Sequence, residues 1–157
     1  MLVHRAGDAW EVWAPAKLNL MFEVIGRRGD GFHEIETLMA PISLFDRLRV
    51  QSDPTGKIDF RVRRGAGIRP IAAESPDEIP TGDDNLAVRA VRLLRDRSGV
   101  SLGARIDLDK HIPSAAGLGG GSSDAAAALV AARAAWSLGD AWPDQRLSGP
   151  ASRLGSE

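Results

Sequence analysis

The chain has 157 residues, with 20 Lys and Arg against 21 Asp and Glu and a formal net charge of −1. That length predicts one domain with a real core, and the near-neutral balance offers no field for nucleic acid or a membrane surface. The absence of cysteine excludes disulfides and thiolate metal sites. No apolar run has signal-peptide or transmembrane length, so a cytoplasmic protein without membrane or nucleic-acid partners is expected.

Residues 10–25 alternate in polarity and predict a strand. Leu18, Leu20, Phe22 and Val24 fall on one face, expected to meet the core, and Lys17, Asn19, Met21 and Glu23 on the other. Residues 26–33 form a turn-rich loop carrying Arg27, Arg28, Asp30, Phe32 and His33. Residues 34–45 predict a further strand, which Leu48 and Val50 continue. A turn at 53–56 precedes another strand marked by Ile58, Phe60 and Val62. Residues 63–82 read as a surface excursion. Asp83 or Asp84 is expected to cap a helix over 85–97, with Leu86, Ala87, Ala90, Val91 and Leu94 inward and Arg89, Arg92 and Arg95 in solvent. Residues 104–109 alternate again and predict a strand. Lys110 and His111 follow it, either reaching a bound phosphate or lying solvated at the strand end.

The segment 113–124 reads Pro-Ser-Ala-Ala-Gly-Leu-Gly-Gly-Gly-Ser-Ser-Asp and runs into alanines. Ser122, Ser123 and Asp124 are candidates for a helix N-cap, and the alanine run is strong helix former, ending near 138–139. A helix start presents unpaired N–H groups and a partial positive charge. Glycines let the backbone come close to an anion. The pattern therefore points to a phosphate cradle, with a plain tight turn as its rival. No Lys follows the glycines as in a Walker A loop, and the glycine spacing does not fit a dinucleotide fingerprint. Beyond 139 the prolines and turn signals leave only a short helix near 151–154.

The segment 113–125 resembles the phosphate loop of the GHMP kinase superfamily. Ala14-Pro-Ala-Lys-Leu-Asn-Leu20, residues 26–34 and Asp84-Asn-Leu86 narrow the likeness to the kinases of 4-diphosphocytidyl-2-C-methyl-D-erythritol. The resemblance implies an α+β fold, the GHMP kinase N-terminal domain, related to domain 2 of ribosomal protein S5. It implies ATP and Mg²⁺ as cofactors and a cytidine diphosphate-linked methylerythritol as the small-molecule substrate, in non-mevalonate isoprenoid biosynthesis. Lys17 matches the catalytic lysine. Asn19, Phe32 and His33 match substrate-binding residues, with Phe32 standing where the family commonly has Tyr. Pro113, Ser114, Ala115, Ala116, Gly117, Leu118, Gly119, Gly120, Gly121, Ser122 and Ser123 match the loop that holds the ATP phosphates, and Asn85 matches a position near the nucleotide.

The family's catalytic Asp is matched by Glu157, and its ferredoxin-like C-terminal domain has no counterpart in residues 1–157. The chain is thus expected to be a truncated ATP-binding domain. An inactive nucleotide-binding fragment and another GHMP small-molecule kinase are the competing readings.

Overall fold

The computed structural model describes residues 1–29, 31–65, 79–139 and 142. Among these it has strands β1 (Leu2–Ala6), β2 (Ala9–Arg27), β3 (His33–Asp53), β4 (Ile58–Arg64) and β5 (Gly103–Lys110). Helix α1 spans Leu86–Ser98 and α2 spans Gly120–Ala135. The strands form one sheet in the order β1-β2-β3-β5-β4. Neighbours are antiparallel except β4 and β5, which run parallel with α1 between them in sequence. Parallel neighbours require such a crossover.

Period-two alternation builds the core. Val12, Leu48, Val50, Ile106 and Leu108 are buried, and the register sets Val12 opposite Leu48, Leu48 opposite Leu108 and Val50 opposite Ile106. Both helices cover this face: Ala87, Val91 and Leu94 of α1 and Ala128, Leu129 and Ala132 of α2 join the same cluster. Small residues on both sides, Ala14 of β2 and the alanines of α2, let helix and sheet lie close. The intervening strand residues Arg47, Arg49, Arg61, Arg63, Asp107 and Asp109 share a polar face. There Asp109 accepts hydrogen bonds from Arg47 and Arg63.

Several expectations are corrected. β3 is a single strand of 21 residues, continuous through Leu48 and Val50 as expected, but it extends to Asp53, the first residue of the predicted turn. α1 is capped by Asn85, whose Oδ1 accepts from the N–H groups of Ala87 and Val88, and not by Asp83 or Asp84. Asp83 instead pairs with Arg92. α2 ends at Ala135, before the predicted 138–139.

The largest correction concerns β2. Its buried face is Ala9, Val12, Ala14 and Ala16. Leu18, Leu20, Phe22 and Val24 are 42%, 63%, 57% and 52% exposed. A register shift between Asn19 and Met21 interrupts the alternation at Leu20, and a face is buried only where another layer covers it. β1 pairs with β2 only as far as Trp13, and β5 pairs with β3 only from Arg47 onward. Past those points β2 and β3 continue as a two-stranded arm with no third strand beside it among the described residues.

Candidate functional site

The loop between β5 and α2 lines a cavity of about 380 Å³. Every residue from Pro113 through Ser122 borders it, together with Asn85, Leu86, Lys110 and Asp124. The helix opens at Gly120 with Gly119 as N-cap at φ 70°, and no side chain caps it. Ser122, Ser123 and Asp124 are therefore inside the helix and are not its cap. The N–H of Ser123 already donates to the Gly119 carbonyl at 3.0 Å, and Ser123 does not border the cavity. A helix start without a capping side chain keeps donors of its first turn available, at the positive end of the helix dipole. Such a site is suited to an anion.

Glycine is required at two of these positions by what lies beside them. A Cβ on Gly119 would stand 3.0 Å from Cγ and 3.2 Å from Cε of Lys17, at a φ that L side chains rarely adopt. A Cβ on Gly120 would stand 2.9 Å from Nζ of Lys110.

Lys17 thus adjoins the end of the loop, although it does not border the cavity. Its backbone N–H donates to the Leu118 carbonyl at 3.0 Å, tying β2 to the loop. Its Nζ donates to Asn19 Oδ1 at 3.0 Å, so the strand spacing that set Lys17 and Asn19 on one face also links them. Phe32 and His33 stand elsewhere, exposed at the far end of the arm, where His33 is paired with Arg27. That is ten residues along β2 from Lys17, roughly 33 Å of strand. Asn85 borders the cavity, but its carboxamide is committed: Oδ1 caps α1 and Nδ2 donates to the Pro80 carbonyl at 2.7 Å. Glu157 lies outside the described residues, as does the short helix expected near 151–154.

Lys110 is not solvated; it borders the cavity with its ammonium held by two carboxylates. It is 6% exposed, and Nζ donates to Asp46 Oδ2 at 2.5 Å and Asp124 Oδ2 at 2.7 Å. Asp46, fully buried, also accepts from the N–H groups of His111 at 2.5 Å and Ile112 at 2.8 Å. These bonds fix the chain just before the glycine loop to β3, and the first turn of α2 to β5. Burial pushes the Asp124 carboxyl up to about 7, with Lys110 opposing and Asp46 adding to the rise. The exposed His111 turns away from the cavity: it borders a separate groove with Trp13, Phe45 and Arg47, and its Nδ1 is 3.2 Å from the Asp109 carbonyl oxygen.

A family model for the GHMP kinases N terminal domain matches residues 85–156, which begin at the α1 cap and include the loop and α2. A crystal structure of 4-(cytidine 5'-diphospho)-2C-methyl-D-erythritol kinase superposes with a TM-score of 0.68 at 42% identity, over 93% of this chain and 46% of that one. The chain has the fold of a GHMP kinase N-terminal domain. A homoserine kinase from Cytophaga hutchinsonii shares that fold with a TM-score of 0.65 at 19% identity, over 98% of this chain and 43% of that one. In sequence the chain is similar to the 4-diphosphocytidyl-2-C-methyl-D-erythritol kinase of Synechococcus sp. (strain CC9605), 47% identical over 93% of this chain and 43% of the relative. The kinase of the same name from Pelotomaculum thermopropionicum is 46% identical over 92% of this chain and 45% of the relative. The chain therefore spans under half the length of these two relatives.

Within this GHMP-type domain, Asp46 and the buried role of Asp124 were not legible in sequence. Asp46 has no motif around it, and Asp124 looked like a capping residue. The nearest signal was Lys110 itself, a charge at the end of an alternating strand beside an apolar Ile112. Among the described residues no cluster of three or more His, Asp or Glu could hold a metal ion. No described helix is long and apolar enough to cross a membrane.

Proposed function

We propose that this domain binds ATP at the glycine loop and serves a kinase that transfers the γ-phosphoryl group to the 2-hydroxyl of 4-diphosphocytidyl-2-C-methyl-D-erythritol. One observation carries the reading. A glycine loop opens a helix whose first turn has no capping side chain, and Lys17 lies along the last residue of that loop. The names of the similar kinases supply the substrate.

Phosphoryl transfer of this type needs positioning and charge stabilisation more than covalent chemistry by the protein. The loop amides are suited to bind and orient the phosphates. The Lys17 ammonium is suited to stabilise negative charge on the attacking oxygen and the transferring group. Asn19, which accepts from that ammonium, holds it in place. The assignment of Phe32 and His33 to the cytidine end rests on the family resemblance and not on this geometry, which sets His33 beside Arg27, ten residues along β2 from Lys17.

Calorimetric titration of the chain with the β,γ-imido analogue of ATP tests the cradle, using Gly119→Val as the control. Micromolar binding by the wild type and at least tenfold weaker binding by the variant is the expected outcome, since the valine side chain meets Lys17 and its β-branch resists a φ of 70°. Equal affinities would remove the cradle. Incubation with ATP and the cytidine diphosphate substrate, read by phosphate transfer, then tests the reaction itself.

A further inference from the structure

Asp124 presents a buried oxygen with nothing to bind. Its Oδ2 accepts from Lys110, but Oδ1 has no hydrogen-bond partner among the described residues. The residue is 5% exposed and borders the loop cavity at the first turn of α2. Two buried carboxylates, Asp46 and Asp124, share the single ammonium of Lys110. With both ionised, the cluster carries a net negative charge directly behind a site built for an anion. An ionised oxygen without a donor is costly in a dry setting. A proton on Oδ1 removes that cost and halves the carboxylate charge behind the cavity.

We propose that Asp124 takes up a proton when an anionic phosphate ligand fills the loop cavity, so that the carboxyl behind the site loses its charge as the anion binds. The inference rests on the cradle reading above. The proton comes from solvent, and no bond other than O–H forms. The groups around Asp124 fit this assignment. Lys110 of β5 and Asp46 of β3 are the charged groups whose fields act on it. From β2, Lys17 lies along Gly119 with its ammonium on Asn19. Ahead of α1, Asp84 and the uncharged Asn85 border the same cavity. The Asp124 carboxyl already sits at about 7, and a nearby anion raises it further, which keeps it protonated above neutral pH.

The Mg²⁺ complex of the β,γ-imido analogue of ATP is titrated into the chain and into Asp124→Asn, from pH 6.5 to 8.5, in two buffers of different ionisation enthalpy. Wild type is expected to take up little proton at pH 6.5, where Asp124 is already mostly protonated, with uptake growing towards one proton and affinity falling by up to about tenfold per pH unit above pH 7. Asp124→Asn, which cannot ionise, is expected to take up none and to bind with flat pH dependence. Protonation of the ligand itself is common to both and cancels in the difference. Binding by the wild type without proton uptake, or with uptake equal to the variant's, overturns the inference and leaves the cradle standing. Binding by neither protein at any pH removes the cradle and this inference together. If Asp124→Asn does not fold, Asp124→Ser, which likewise cannot ionise in this range, supplies the same difference.

Discussion

Lys17 and Asp46 illustrate two ways a charged residue can matter. Lys17 is partly accessible, and its ammonium donates a hydrogen bond to Asn19. In a form of the protein that turns over, Lys17→Ala is expected to lower kcat on the order of 100-fold, the scale of losing one stabiliser of transition-state charge. Nucleotide affinity is expected to stay within a few-fold, and equilibrium binding beside steady-state kinetics separates the two. Equal losses in both would make Lys17 a phosphate ligand. Asp46 instead acts through the fold. Asp46→Ala would orphan the N–H groups of His111 and Ile112 and leave Lys110 with Asp124 alone. Breaking such a buried pair costs about 3–5 kcal/mol, readable as a lowered urea midpoint.

At the scale of elements, the same β2 strand behaves differently along its length. Its first half is sealed by α2 through Val12, Ala14 and Ala16. Its second half runs with β3 as an arm whose Leu20 and Phe22 are 63% and 57% exposed. Burial, not hydrophobicity, decides what a side chain contributes. Leu20→Ser is therefore expected to change unfolding free energy by no more than about 0.5 kcal/mol, as for other surface substitutions. A loss of 2 kcal/mol or more in chemical denaturation would mean that the arm is covered in solution. α2 shows how an element is legible while its start is not. The alanine run announces a helix, yet Gly119 in the left-handed region, and not a serine, begins it. The seryl and aspartyl side chains were persuasive caps, but a cap must sit one residue outside the helix, and the glycine turn places them one turn too late.

For the molecule as a whole, the Asp46–Lys110–Asp124 cluster ties β3, β5 and α2 together where the site lies. Its titration predicts how stability follows pH. Asp124 has a folded value of about 7 against an ordinary 3.8, with burial as the main cause. The folded state thus binds more protons than the unfolded state between those values. Stability from this group is greatest at low pH and is lost as pH rises towards 7. Thermal melts of wild type and Asp124→Asn are expected to diverge between pH 5 and pH 8, with the variant gaining relative to wild type. A constant difference would remove the assignment.

Strand alternation in β4 and β5, the inward stripe of α1 and the glycine loop opening an alanine helix were determined by the sequence alone. Each rests on neighbours a few residues apart, where φ/ψ preferences and side-chain periodicity act. The motifs that resemble the GHMP kinases were equally local. Tertiary structure alone decided that Lys110 meets Asp46, 64 residues away. It also decided that Lys17 lies on Gly119 and that half of β2's apolar face has no cover among the described residues. Those outcomes depend on which layers come to lie against one another, and short-range periodicity carries no information about that.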